Sequence, residues 1–272
     1  MFLCARYISD DFKILFWLPG HCGVYRNPMP EELVIQASVL PVEMLPERTC
    51  PSNRMRWFEF VLLLSIAFGP SVLTSLHQLV TGPASTPSAQ DFRWALSLLH
   101  EMTSLLLLGY ILSRRKVRFA NLGLRWSRKD LPSGVALAIG SYCAYYVGRI
   151  LVHSIYYAMF GAAHDGKTVQ SIFGHVGFFA IPISLLNPLF EEMIVRAYLM
   201  TEIRELTGSA LLSVVSSFVL QTTYHLYYGW EGALSLGFLF LVFAIYYSRT
   251  RRATPIILAH GAFDLLSLVR LW

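Results

Sequence analysis

Long apolar stretches alternate with short polar ones from residue 57 to the C-terminus. They cover about 57–80, 92–113, 133–160, 173–203, 208–228, 230–248 and 254–271. Each run is continuous rather than alternating, and most reach the ~20 residues that a helix needs to cross a bilayer. In lipid only helices and closed barrels satisfy their own backbone groups, and barrel strands are shorter and alternate in polarity. The pattern predicts an all-α fold, a polytopic transmembrane helix bundle of about seven spans.

Residues 1–54 have a different character. They mix charges and prolines with one apolar patch, Ile14 to Leu18, too short to span. Asp10 and Asp11 precede that patch, so it lacks the basic flank of a signal peptide. Two regions are expected: a poorly structured N-terminal extension over 1–54, read as a possible start-site artefact, and a membrane-embedded domain over 55–272.

Composition agrees with the pattern. Of the 272 residues 55% are hydrophobic and 14% charged, against about 25% charged in soluble domains. An ordinary soluble enzyme and a disordered chain are both excluded. The net charge of +5 is concentrated between apolar runs, at Arg114, Arg115, Lys116, Arg118, Arg125, Arg128 and Lys129 and again at Arg249, Arg251 and Arg252. Basic loops beside spans face the cytoplasm and anionic lipid. The bilayer is therefore the expected partner, and nucleic acid is not. With the 114–129 loop cytoplasmic, Arg54, Arg56, Arg204 and the 249–252 cluster are cytoplasmic too, and the C-terminus lies outside. The 114–132 segment, with Trp126, is expected along the inner membrane surface. The four cysteines show no metal-ligand spacing and no disulfide is expected.

The fourth run is too long for a simple span. Its 31 residues would make roughly 46 Å of helix against a hydrocarbon core of about 30 Å. Pro182 and Asn187-Pro188 offer breaks. A helix starting after Pro188 would place Glu191 and Glu192 in its first turn, where the dipole favours negative charge.

Ionisable residues inside membranes are costly, so they point to function. Within FEEMIVRAYL, residues 190–199, Glu192 and Arg196 are four apart and can pair as structural support. Such a pair can also simply pin two helices. Glu191 is rotated from Glu192 by about 100° and has no partner in its own helix. A free carboxylate there suits a general base acting on water. His225, at the end of the fifth run, could share that water. His260 and Asp264, four apart, could stabilise an oxyanion or orient a scissile peptide. The pairs His100–Glu101 and Arg149–His153 are read as packing or interfacial groups, and Tyr227 and Tyr228 as part of an interfacial aromatic belt. Straight spans would put Glu191 and His225 at depths of roughly 20 and 25 Å but His260 at only about 9 Å. Convergence then demands tilted or broken helices.

Glu191, His225 and His260 could supply three zinc ligands, but the chain has no H-E-x-x-H. A metal-free glutamate mechanism ranks ahead of zinc, and no cofactor is expected. Two other functions fit the same composition. One is a non-enzymatic membrane scaffold or bacteriocin-immunity factor. The other is a proton-coupled transporter, disfavoured because no duplicated halves are visible.

The order Glu-Glu-x-x-x-Arg, a histidine about thirty residues later, and His-x-x-x-Asp near the C-terminus resembles the CPBP family of CAAX proteases and bacteriocin-processing (Abi) enzymes, which includes CAAX prenyl protease 2. The resemblance covers about 173–271. It implies an intramembrane glutamic endopeptidase hydrolysing a peptide bond near the C-terminus of a membrane-associated protein or peptide. It implies Glu191 as the catalytic glutamate, His225 as the water-activating histidine, and His260 with Asp264 as the oxyanion pair. Gln221 stands where the family often has Phe, and Val195-Arg196-Ala197 where it often has Phe-Arg-Gly. A prenylated substrate is not assigned. The implied partner is a peptide or protein substrate, with oligomeric state open, and the implied location is a bacterial cytoplasmic membrane.

Overall fold

The computed structural model describes residues 52–81, 90–161 and 178–269, together with three short N-terminal strands. The chain divides into two units, Met1–Pro51 and Ser52–Trp272. In the first, β1 (Phe2–Leu3), β2 (Leu15–Leu18) and β3 (His21–Val24) pair antiparallel in the order β1-β2-β3. The apolar patch at 14–18 thus supplies the central strand of a small sheet.

The second unit is helical throughout its described residues. Its helices are α1 (Asn53–Thr81), α2 (Gln90–Arg114), α3 (Asp130–Phe160), α4, α5 (Ala210–Tyr224), α6 (Trp230–Thr250) and α7 (Thr254–Val269). Helix α4 is continuous but changes register: α-helical over Ala180–Glu191, π-helical over Glu192–Leu199, and α-helical again over Met200–Thr207. Helices α1, α2, α3 and α6 are long and apolar enough to cross a membrane, while α5 and α7 are shorter apolar helices. The protein is a membrane protein built as a helical bundle.

Apolar side chains cover the outside of this unit. Leu73, Val80, Leu106, Val147, Ile150 and Leu211 are all exposed. Such a surface suits lipid, since a soluble protein rarely exposes contiguous apolar patches of this kind. The inside inverts the pattern. Glu59, Glu101, Glu191, Glu192, Arg196, Glu202, His225 and His260 are all buried. Helix α4 is the axis of the bundle, and every residue of its π stretch is buried.

The expected break after Asn187-Pro188 does not occur. Pro188 lies inside the first stretch of α4, and the helix continues through it. Neighbouring helices and local changes of register can absorb a membrane proline without ending the helix. The wide π turns that follow are the irregularity instead, and π segments recur at functional sites.

One end of the bundle is closed by charge. Arg115, which follows α2, donates Nε to Glu59 of α1 at 2.7 Å and Nη1 to Glu202 of α4 at 2.8 Å. Arg56 reaches Glu202 at 3.0 Å and Glu205 at 2.7 Å. The 115–129 segment is fastened nearby. Ala253 N–H donates to Gly123 O at 3.0 Å, and Arg252 pairs with Asp130 at 2.7 Å. Gly123 has φ +93°, and a Cβ there would lie 2.2 Å from the Arg251 carbonyl oxygen, so the approach needs glycine. In this stretch Leu122 is buried in the core and Trp126 is exposed. The basic loops assigned to one side of the membrane thus meet at one end of the bundle.

Candidate active site

Helices α2, α4, α6 and α7, with the α5–α6 connection, enclose a cavity of about 290 Å³. Glu191, His225, His260 and Asp264 all line it. The four residues share this cavity despite the different depths expected for straight spans.

Glu191 is the last α-helical residue before the π turns. Its Oε2 accepts the Tyr224 hydroxyl at 2.6 Å and the Gln221 amide at 2.7 Å. Both bonds fall on one oxygen, and Oε1 has none among the described residues. Donors of this kind favour the charged form of a carboxylate. Gln221 cannot be flipped, because its Oε1 accepts from Arg196 Nη1. An arginine only donates, so the amide oxygen must face it and the amide nitrogen must face Glu191.

His225 follows immediately. Its Nδ1 bonds the Gln221 carbonyl at 2.8 Å. A carbonyl only accepts, so Nδ1 carries the proton, and in the neutral ring Nε2 is left as an acceptor. The ring packs between Tyr224, Tyr227, Tyr228 and Phe240, with centroids 4.6 to 6.1 Å away. Ser75 of α1 donates its hydroxyl to the Tyr224 carbonyl at 2.6 Å, holding the end of α5 that presents His225.

The opposite side is built from α7. His260 Nδ1 bonds Glu192 Oε1 at 2.8 Å, while its Nε2 lies 3.7 Å from Asp264 Oδ1, too far for a hydrogen bond. Asp264 Oδ2 accepts instead from Asn187 Nδ2 at 3.1 Å. His260 and Asp264 thus stay within ion-pair distance, while each makes its hydrogen bond with another residue. Glu192 orients the histidine, and Asn187 holds the aspartate. Both are set by α4, whose wide turns bring Glu191 and Glu192 into reach of different neighbouring helices.

Glu192 and Arg196 lie behind the cavity wall with no exposed surface. Arg196 Nε approaches Glu192 Oε2 at 3.3 Å. The geometry is an ion-pair contact without hydrogen-bond alignment, and neither atom has another hydrogen-bond partner. Arg196 also reaches the Phe240 carbonyl at 3.3 Å and lies 5.1 Å from the centre of that ring. The two side chains are in contact, as their spacing expects, and Glu192 adds the contact to His260.

Residues outside the expected set also line the cavity: Glu101, Asn187, Tyr227 and Tyr228. The two tyrosines were read as an interfacial belt, yet they face the site beside His225. His100 packs as expected, with Nε2 2.9 Å from the Ala67 carbonyl oxygen. Arg149 and His153 are exposed on α3 and do not line the cavity. Cys143 is a free, exposed thiol; the side chains of the other three cysteines lie outside the described residues. Glu191, Glu192 and His260 offer ligand atoms within 4.8 Å of one another, a spacing that could hold a metal ion. His225, counted among three possible zinc ligands on sequence grounds, is outside that group. Glu191 Oε2 already accepts two donors and His260 Nδ1 is bonded to Glu192, while Glu191 Oε1 and His260 Nε2 make no hydrogen bond among the described residues.

Residues 173–266 match a protein-family model described as type II CAAX prenyl endopeptidase Rce1-like. No curated protein and no solved structure matches the chain. The matched stretch, less than half of the chain, carries Glu191, Glu192, Arg196, His225, His260 and Asp264, and over it this membrane protein is similar to the CAAX protease (CPBP) family of peptide hydrolases.

Proposed function

We propose that the chain is an intramembrane endopeptidase that cleaves a membrane-associated protein or peptide near its C-terminus, in the manner of CAAX processing, with water activated by Glu191 and His225. The observation that carries the reading is the pairing of two acceptors at one cavity. Both residues line it; among the described residues Glu191 has Oε2 tied down and no hydrogen bond on Oε1, and His225 has Nδ1 tied down and no hydrogen bond on Nε2. A water between them would give up a proton to this pair and attack the scissile carbonyl carbon. His260, oriented by Glu192, faces the same space and suits the oxyanion that forms. Asp264, held by Asn187, would position the peptide beside it.

Apolar walls from Leu236, Leu239, Phe240 and Phe263 suit a C-terminal tail with aliphatic side chains, and they keep bulk water away from the reacting groups. The proposed reaction uses no metal, because the water is activated by the Glu191 and His225 acceptors themselves. A bacterial cytoplasmic membrane remains the proposed location.

The test uses purified protein in detergent and a fluorogenic peptide with a farnesylated C-a-a-X terminus, alongside the unprenylated peptide. Wild type is expected to cleave at least one. Glu191→Gln is expected to abolish cleavage with an unchanged melting temperature. Wild-type turnover by that variant would remove Glu191 as the base.

A further inference from the structure

Helix α2 turns one face to the cavity through Trp94, Ser97 and Glu101, a spacing of three and four residues that lines up on one side of a helix. Glu101 sits near the middle of α2 and is 6% exposed. Its Oε2 is inaccessible and has no hydrogen-bond partner. The contrast with the other carboxylates of the site is sharp. Glu191 receives two donors, Glu192 faces His260 and Arg196, and Asp264 receives Asn187. No donor or cation is recorded within bonding distance of Glu101 among the described residues.

A buried carboxyl group stays ionised only where donors or cations surround it, and otherwise it neutralises. Glu101 thus offers the site what its other carboxylates cannot, an acidic O–H. Peptide hydrolysis needs one. The amine leaves readily only if its nitrogen gains a proton as the C–N bond breaks. The groups assigned above serve the water and the carbonyl oxygen, and none is assigned to the nitrogen. Glu101 comes from α2, which packs directly against the first stretch of α4 that carries Glu191.

We infer that Glu101 is the acid that protonates the leaving amine, an assignment that rests on the endopeptidase reading above. The step balances without a co-reactant. Water adds to the carbonyl carbon and gives one proton to the Glu191–His225 pair. The tetrahedral intermediate then collapses, the C–N electron pair stays with nitrogen, and the Glu101 proton completes the amine. The proton held by the Glu191–His225 pair returns to Glu101 through water, so the net reaction is amide plus water giving acid plus amine.

An ester leaves as an alkoxide of lower basicity and depends far less on such an acid. The experiment therefore compares the fluorogenic peptide cleaved by wild type with its analogue in which an ester replaces the scissile amide. General acid catalysis contributes about 10²–10⁴-fold. Glu101→Gln is expected to lower kcat for the amide by at least 100-fold with little change in KM, and to lower kcat for the ester less than about fivefold, a residue being left of that range. Glu101→Asp, which keeps an acid, is expected to recover part of the amide activity and none of it is needed for the ester. Equal losses on amide and ester in both variants would overturn the inference and leave Glu101 a packing residue, as would amide cleavage by Glu101→Gln at the wild-type rate. Failure of wild type to cleave either substrate would instead overturn the endopeptidase reading itself.

Discussion

Glu192 Oε1 lies 2.8 Å from His260 Nδ1, joining α4 to α7 across 68 positions of sequence. Adjacent glutamates thereby serve opposite sides of one cavity. Glu191 faces the proposed water, and Glu192 sets the histidine that would meet the oxyanion. His260, Glu192, Arg196, Gln221 and Glu191 thus form one connected network, in which Arg196 joins Glu192 to Gln221 and Gln221 joins Arg196 to Glu191.

Removing the Glu192 charge should damage both folding and turnover. Glu192→Gln leaves Arg196 buried without its counter-ion, and breaking a buried pair this way costs about 3–5 kcal/mol. Thermal unfolding in detergent should show a clearly lower melting temperature. A double-mutant cycle with His260→Gln should show coupling, because the two side chains touch. Additive losses would mean that Glu192 does not orient His260.

Gln221 is expected to matter more than a neutral side chain usually does. Gln221→Leu keeps the volume but removes the amide from both Arg196 and Glu191. Loss of hydrogen bonds to charged groups costs about 1.5–3 kcal/mol each, which corresponds to a fall in kcat of roughly 10- to 100-fold at 1.4 kcal/mol per decade. Phe, common at this position in the family, should not rescue it here while Arg196 remains. Wild-type kcat in Gln221→Leu would show the bridge to be incidental.

Tyr224→Phe isolates the second donor to Glu191. The ring stacks on Phe68 at 4.8 Å between centroids, and Phe preserves that packing. The variant should keep its melting temperature to within a few degrees and lose about tenfold in kcat, from a single bond to a carboxylate. Steady-state kinetics with matched unfolding curves would check it; equal activity would remove Tyr224 from the machinery.

Chelators separate the two readings of the Glu191–Glu192–His260 cluster. Dialysis against EDTA or 1,10-phenanthroline should leave cleavage unchanged, and added zinc should not raise it. Loss of activity on dialysis, restored by zinc, would show that the cluster binds metal in place of the hydrogen bonds now seen on Glu191 and His260.

The charge network at the closed end should act on stability alone. Glu202→Ala removes the carboxylate at which Arg115 and Arg56 meet; Glu59 and Glu205 still pair with them, so the loss should stay below the roughly 3 kcal/mol of a fully broken buried pair. Activity per folded molecule should be unchanged, since the network does not line the cavity. A fall in kcat without a fall in melting temperature would contradict this separation.

Much of this protein is legible in its linear sequence because lipid is a demanding solvent. Spans must be long and apolar, so the runs that became α1, α2, α3 and α6 stand out. Ionisable groups inside such runs are costly, so Glu191, Glu192, Arg196 and His260 announce themselves against the background. Their order along the chain also carries the resemblance to the CAAX proteases.

What the linear pattern could not decide is which of these groups face one another. Gln221, Tyr224 and Asn187 look ordinary in apolar helices, and their roles come from partners on other helices. Glu101 resembles its packed neighbour His100 until the face of α2 is known. The π turns over Glu192–Leu199 have no local signature, yet they decide where two adjacent carboxylates point. The i,i+4 spacing brings His260 near Asp264, but the hydrogen bond to Glu192, 68 positions away, has no trace in local spacing. Local periodicity sets which residues share a helix face, whereas hydrogen bonds between helices depend on register, tilt and depth, which only the packed bundle determines.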